Sequence, residues 1–249
     1  MFDLTGKTAV VTGSTRGIGH AIAHAMLRAG ARVTVSSESE ADTAAAADAL
    51  QCTGIACDVT DRVALEALVE RTVEQVGGLD ILVCNAGIAG APGPIAGLAR
   101  DEFDRVMAVN LRSMVELCNI ALPLIARREG GSVVLISSIA GLRGNGAIGA
   151  YALAKAGVAQ LARNLAVEWG PRGVRINAVS PGLIATDFSA ALLSDRAFAA
   201  RRMAMTPLRR PGTPDEVAGA VLFLASAAGG FVTGHNLVVD GGTLITDGS

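Results

Sequence analysis

Tyr151 is the only tyrosine of the chain, and Lys155, four residues on, is one of two lysines in 249 residues. On a helix, that spacing puts both side chains on one face, one turn apart. The chemistry such a pair suits is proton transfer. A free phenol has a pKa of about 10, too weak an acid and too reluctant a base near neutrality. An ammonium beside it favours the phenolate, and bringing its ionisation down to neutral pH takes roughly 4 kcal/mol. Alone, Tyr151 would read as a half-buried aromatic on a packing helix, and Lys155 as a solvated charge. With so few residues of either type, the pairing favours chemistry. Ser137 and Ser138 precede the tyrosine across a glycine-rich connection (Gly141, Gly144, Gly146, Gly149), and either hydroxyl could cap a turn. Asn110 falls inside a long helical pattern, although asparagine is a poor helix former.

These groups need elements to hold them, and the pattern along the chain supplies them. Short β-branched runs (Thr8–Val11, Arg32–Ser36, Gly54–Cys57, Ile81–Cys84, Ser132–Ser137, Arg175–Val179, Asn236–Val239) alternate with helical stretches. The helical stretches are Ile18–Arg28, Glu40–Leu50, Val63–Val76, Asp101–Arg128, Tyr151–Trp169 and Pro214–Ala227. Near-continuous apolar strands between helices imply βαβ units and an α/β fold, a doubly wound, Rossmann-like, mainly parallel sheet with helices on both faces. No composition break divides the chain, so a single domain over 1–249 is expected.

The strands end in polar or glycine-rich turns, at Gly13–Gly19, Ser36-Ser37, Asp58, Asn85-Ala86-Gly87, Ser137-Ser138 and Ser180-Pro181-Gly182. In an open parallel sheet the ligand crevice lies outside the carboxyl ends of the strands. Any one of these turns could be plain surface; six in register describe a cleft for a long ligand. Gly13, Gly17 and Gly19 lie between the first strand and the first long helix. There the backbone can approach a pyrophosphate, and the helix N-terminus offers free N–H groups. The spacing departs from the common GxGxxG fingerprint.

Thr12-Gly13-Ser14-Thr15-Arg16-Gly17-Ile18-Gly19 matches the TGxxxGxG motif of the short-chain dehydrogenases/reductases, and Asn85-Ala86-Gly87 their NAG motif. Asn110, Ser138, Tyr151-x-x-x-Lys155 and Pro181-Gly182 fall in that family's order and spacing, so the chain resembles its compact single-domain branch from about Leu4 to about Gly242. The resemblance implies a hydride transferred between a nicotinamide cofactor and a carbonyl or secondary alcohol. It implies Tyr151 as the proton-exchanging group, Ser138 (picked over Ser137 by spacing) holding the substrate oxygen, and Lys155 on the nicotinamide ribose. Asn110 would hold a water at a local helix distortion. Cofactor contacts are expected from Gly13, Ser14, Arg16, Gly17, Ile18, Gly19, Ser37, Asp58, Val59, Asn85, Ala86, Gly87, Tyr151, Lys155, Pro181, Gly182, Ile184 and Thr186. Substrate contacts are expected from Ser138, Ile148, Tyr151 and Leu183, with Ile88 adding to an apolar pocket. A lid over the substrate is expected at 187–206. Asp58 could equally belong to the N-cap region of the next helix.

Ser37 stands where an acidic residue would bind the ribose hydroxyls of NAD, and Arg16 could neutralise a 2′-phosphate. NADP(H) is therefore favoured over NAD(H), although Glu38 argues the other way. His20 and His24 have a metal-compatible spacing, yet no acidic or cysteine ligand accompanies them, so no metal is expected.

The net charge of −2 speaks against a nucleic-acid partner, and the scattered arginines against a polybasic membrane patch. The apolar stretch within Val217–Val239 is broken by Gly229, Gly230 and Gly234 and reads as a core helix. No basic region precedes an apolar one at the N-terminus, and Cys52, Cys57, Cys84 and Cys118 form no CxxC pair, so free thiols in a reducing cytoplasm are expected. Relatives pair the two long helices, implying a homo-oligomer, commonly a tetramer. Two competing readings are a 3-oxoacyl-[acyl-carrier-protein] reductase, for which Arg127, Arg128 and Arg172 could form a docking patch at the cleft mouth, and a non-catalytic dinucleotide sensor.

Overall fold

A computed structural model describes residues 1–246. The strands β1 (Thr8–Thr12), β2 (Arg32–Ser36), β3 (Thr53–Gly54), β4 (Ile81–Cys84), β5 (Ser132–Ile136), β6 (Arg175–Pro181) and β7 (Asn236–Val239) form one sheet in the order 3-2-1-4-5-6-7. Every pairing is parallel. The order reverses between β1 and β4, so the crevice outside their carboxyl ends is the topological switch point of a Rossmann-like domain.

Period-two alternation sends strand side chains to opposite faces. Val10, Leu82, Val133, Leu135, Ile176 and Ala178 pack on α3 (Arg62–Val76), α5 (Ser113–Ile125) and α6 (Gly149–Trp169), through Leu65, Leu68, Leu117, Leu122, Val158 and Ala162. Ala9, Val11, Ile81, Val83, Val134, Ile136 and Val179 pack on α1 (Gly17–Arg28), α2 (Glu40–Leu50) and α9 (Pro214–Ala225), through Ile22, Met26, Ala46, Val217, Val221 and Leu224. Both faces of the sheet are covered, which is why the strands read as unbroken apolar runs.

Two elements depart from expectation. The third strand is shorter than Gly54–Cys57: only Thr53 and Gly54 pair with β2, and the chain then leaves the ladder with Ile55 and Cys57 still donating to Val35 and Ser37. The stretch Asp101–Arg128 is not one α-helix. It runs as α4 (Arg100–Met107), a π-turn (Ala108–Arg112) and α5, with Asn110 in the widened turn. By length and composition 100–125 could cross a membrane, but Leu117, Leu122 and Ile125 are buried in the core packed on the sheet. The segment after β6 carries two short helices, α7 (Ala190–Ser194) and α8 (Arg196–Ala204).

Candidate active site

The glycine loop is built for close approach. Gly13 and Gly17 have φ of +61° and +58°, a region that L side chains rarely adopt. A side chain on Gly13 would strike Ala86 Cα at 2.8 Å, and one on Gly19 would collide with the Gly13 carbonyl and the Asn85 amide. Asn85 secures the loop: its Nδ2 donates to the carbonyls of Thr12 (3.0 Å) and Gly13 (2.8 Å). The Thr12 hydroxyl in turn accepts from the backbone N–H groups of Asn85 and Ala86. Thr12 and Asn85 thus clamp two strand ends together across the switch point.

The N-terminus of α1 has no side-chain cap and no acidic residue in its first turn. Ser39, Asp61, Asp195 and Thr213 do cap α2, α3, α8 and α9. Gly17, Ile18 and Gly19 therefore present backbone N–H groups to whatever anion lies over the loop, as a pyrophosphate would. Across it, Thr186 Cγ2 stands 3.5 Å from where a Gly17 side chain would begin. The fit to a dinucleotide rests on this uncapped, side-chain-free cradle.

The other expected cofactor residues line the same edge in different roles. Ser14 is buried, with its hydroxyl donating to Val11 O and accepting from Ser36 N, so it joins β1 to β2 and only its backbone borders the loop. Ser37 is likewise turned inward, its Oγ 3.0 Å from Thr43 Oγ1 and 3.2 Å from the Ser39 carbonyl. Arg16 is exposed and, among the described residues, makes no ion pair. Asp58 accepts from Thr60 N and Oγ1 and so shapes the turn before α3, while the cap of that helix is Asp61. Val59 packs on the core beside it. Pro181 ends β6 and Gly182 follows it, where a side chain would meet Asp240 Cα at 2.8 Å. Ile184 is buried and bridges to Gly212, where Leu183 O also accepts from Gly212 N.

Tyr151 lies in the first turn of α6, and Lys155 one turn further on. The two serines divide their work. Ser137 is buried and donates to Lys155 O at 2.7 Å, tying β5 to α6. Ser138 is half-buried, its Oγ accepts from Ala140 N at 3.1 Å, and its hydroxyl favours the ionised form of the Tyr151 phenol, so it is the serine at the site. Lys155 is 3 % exposed; its ammonium donates to Ile136 O at 2.8 Å and stands 5.6 Å from the Tyr151 ring centroid. Burial pulls its pKa from 10.5 down to about 8. Burial pushes the Tyr151 phenol above its ordinary value, against the opposing hydrogen bond from Ser138. This corrects the expectation that Lys155 acidifies the phenol. In the protein alone, the ammonium is spent on the Ile136 carbonyl and desolvation wins, so Tyr151 holds its proton at neutral pH.

Asn110 is fully buried in the π-turn, which aims it across the cleft and not along its own helix. Its Oδ1 accepts from Ile88 N (3.0 Å) and its Nδ2 donates to Ile88 O (2.9 Å). A side chain on Gly87 would stand 2.7 Å from Asn110 Oδ1 and 3.6 Å from Lys155 Nζ. Gly87 therefore keeps open the space between the asparagine and the amine. Ile148 joins Gly93 by a bridge at the far wall, and Phe188, from the segment after β6, lies 6.2 Å from the Tyr151 ring. Among the described residues no three metal-ligating side chains stand together, and His20 and His24 face Asp187 and Asp215 across a shallow surface pocket.

Three arginines are not where a docking patch would need them. Arg128 pairs with buried Asp80, which also accepts from Thr8 at the start of β1, and Arg127 lies beside it. Arg172 stacks on Trp169 before β6. Within the chain all three mark the amino ends of the strands, opposite the cleft. Sequence reasoning also missed the Ile136 carbonyl that holds Lys155, since a backbone acceptor leaves no mark on residue type.

Comparison with known proteins decides the family. Residues 13–243 match a family model described as enoyl-(acyl carrier protein) reductase. The chain is 36% identical over 244 residues to the dehydrogenase/reductase SDR family member 4 of Oryctolagus cuniculus, covering 96% of this chain and 94% of that one. It is 38% identical over 242 residues to the 3-oxoacyl-[acyl-carrier-protein] reductase of Vibrio cholerae, covering 96% and 98%. A short-chain type dehydrogenase/reductase structure from Mycobacterium marinum superposes with a TM-score of 0.93 at 33% identity, covering 98% of each chain. The chain belongs to the short-chain dehydrogenase/reductase family. It is an NAD(P)-dependent oxidoreductase that moves a hydride between the nicotinamide and a carbonyl or alcohol carbon.

Proposed function

We propose that this short-chain dehydrogenase/reductase reduces a small-molecule ketone, with NADP(H) preferred, and that Ser138, Tyr151, Lys155 and Asn110 form its acid–base machinery. The observation that carries the reading is geometric: Tyr151 stands one turn before Lys155 on α6, the buried ammonium is fixed to Ile136 O 5.6 Å from the phenol ring, and Ser138 opens the turn that packs on that helix. A bound nicotinamide supplies the hydride. Ser138 and the phenol together hold the carbonyl oxygen, and Tyr151 gives up its proton to that oxygen as negative charge develops on it. Lys155 is fixed by Ile136 O one turn below, where its charge opposes the phenolate left behind. Gly87 leaves room for a water between Asn110 and Lys155, a route by which the proton is replaced. Oxidation of an alcohol runs the same steps backwards.

NADP(H) is supported by two features: no carboxylate stands at Ser37, whose hydroxyl is engaged by Thr43, and the Arg16 guanidinium is unpaired among the described residues. The lid is assigned to 187–206, which places Phe188 against Tyr151. The exposed Leu153 and Val167 of α6 support a homo-oligomer joined through that helix, a tetramer by family habit. The four unpaired cysteines support a cytoplasmic setting. A second reading, reduction of acyl-carrier thioesters, is favoured by the name of the Vibrio relative and disfavoured by the positions of Arg127, Arg128 and Arg172. A dinucleotide sensor would have no use for the proton-transfer group.

The test is a screen of ketones, secondary alcohols and acyl-carrier thioesters with both coenzymes, run beside Tyr151→Phe. The variant is expected to bind NADPH normally and to lose turnover. Near-normal turnover would overturn the assignment of Tyr151.

A further inference from the structure

Aromatic residues are scarce in this chain, yet one of its six phenylalanines is left outside the core beside the phenol of Tyr151. Phe188 is 56% exposed, and its ring stands 6.2 Å from that of Tyr151, centroid to centroid, tilted by 40°. A single exposed apolar side chain is ordinary on a protein surface. This one has neighbours. Ile95, from the loop after β4, is 52% exposed and lies over the start of α6: a side chain on Gly149, two residues before Tyr151, would begin 2.9 Å from Ile95 Cβ. Ile148 is half-buried, precedes Gly149 and bridges to Gly93. Three apolar side chains from three segments thus border the turn of α6 that carries the phenol.

Phe188 stays exposed because its neighbour does the anchoring. Ser189 is buried, its hydroxyl donating to Ile184 O and accepting from Thr186 N at 3.2 Å. Its backbone N–H donates to Thr186 O at 3.0 Å and closes the turn Asp187–Ser189. Upstream, Ala185 N donates to Gly212 O and Gly212 N to Leu183 O, at 2.9 Å each. The segment from β6 to Phe188 is therefore held by bonds in which the ring has no part. A ligand stacking on that ring meets a surface already in place and loses little to ordering it.

A carbonyl oxygen held by the Tyr151 phenol brings the groups on its carbon to this turn of α6. Aliphatic walls such as Ile95 and Ile148 favour any apolar group by area alone. A phenylalanine ring adds a preference of its own, because its quadrupole favours a second ring stacked with an offset or edge to face, with centroids 4.5–7 Å apart. We propose that Phe188 is a specificity-determining residue whose ring receives an aromatic substituent on the reacting carbon, so that the enzyme selects aryl ketones and aryl carbinols over aliphatic ones of the same size. The proposal rests on the reading of Tyr151 as the group that holds the carbonyl oxygen.

The probes are acetophenone and cyclohexyl methyl ketone, which differ in the aromaticity of one six-membered ring, reduced with NADPH and with NADH. The quantity read is the ratio of their kcat/KM values, compared between native enzyme and variant so that the intrinsic reactivities of the two carbonyls cancel. Phe188→Leu keeps an apolar side chain without a ring. It is expected to lower the ratio by roughly twofold to tenfold, the scale of one aromatic pair, mainly by raising KM for acetophenone. Phe188→Tyr should keep the native ratio, which a ring-independent defect in the lid would not distinguish from Phe188→Leu. A ratio that Phe188→Leu leaves unchanged, including one where both ketones slow alike, overturns the proposal. So does a native enzyme that reduces the cyclohexyl ketone and not acetophenone, and either result leaves the oxidoreductase reading standing. Failure of every ketone and secondary alcohol in the wider screen with both coenzymes defeats that reading, and this inference with it.

Discussion

Lys155 should cost this protein stability in exchange for its chemistry, and the cost can be measured. Its ammonium is 3 % exposed, and burial lowers its pKa from 10.5 to about 8. Between those values the folded state binds fewer protons than the unfolded state, so stability rises as pH climbs from about 8 to 10.5 and the full penalty is present below 8. The span corresponds to about 3 kcal/mol. The hydrogen bond to Ile136 O returns about 1–2 kcal/mol of it. Lys155→Met, similar in length and uncharged, is therefore expected to be catalytically dead yet more stable at pH 7 by about 1–2 kcal/mol, or roughly 2–8 °C in Tm for a chain this long. Thermal melts of both proteins without ligand, from pH 7 to pH 10.5, test it. The advantage of the variant should shrink steadily above pH 8. A variant less stable than the native protein at pH 7, or an advantage that does not change with pH, would refute the claim that the amine is held against desolvation.

Because Tyr151 is the only tyrosine, absorbance titration of the phenolate reports it directly; the ligand-free protein should ionise above the free-phenol value, and Ser138→Ala should move it higher still by removing an opposing hydrogen bond. Gly19→Ala should abolish coenzyme binding, followed by fluorescence of the reduced form, because its side chain would collide with the Gly13 carbonyl and the Asn85 amide. Ser37→Asp with Arg16→Gln should shift the ratio of kcat/KM from NADPH toward NADH by about tenfold or more, since each change is on the scale of one charged hydrogen bond. Asn110→Leu, which strips both bonds to Ile88, should destabilise the fold by about 1–3 kcal/mol in denaturant melts by leaving the half-buried N–H and C=O of Ile88 without their partner.

What the residue types could and could not announce has a physical pattern. Features set by local geometry were legible. The alternation of apolar strands with helices follows from a sheet covered on both faces, and the uncapped glycine loop follows from the need for open backbone, so both show in residue type. The break in the helix at Asn110 was signalled by the family pattern, but that the widened turn aims its amide at Ile88 depends on a partner 22 positions away. Ser137 and Ser138 are the same residue type side by side; only the strand pleat, which turns one toward Lys155 O and the other toward Tyr151, separates them. The direction of the phenol's shift was misjudged for a related reason. The i, i+4 spacing places an ammonium near the ring, but it is silent on the Ile136 carbonyl that takes the ammonium's hydrogen bond and on how dry the cleft is.

That misjudgement bears on how the site works. In the protein alone, both members of the pair sit on the neutral side of their ordinary behaviour: the phenol resists losing its proton and the amine loses one more readily. Desolvation drives both, and both respond to any charge that enters the cleft. An oxyanion forming between Ser138 and Tyr151 favours the ammonium over the amine, and the ammonium in turn favours the phenolate that proton donation leaves. The groups would then ionise as a consequence of the reaction, in a cavity where a charge acts strongly because little water screens it. A resting site that held phenolate and ammonium together would already be neutralised internally and would stabilise developing charge less. The protonated, half-buried Tyr151 is thus the form suited to delivering a proton to a carbonyl oxygen.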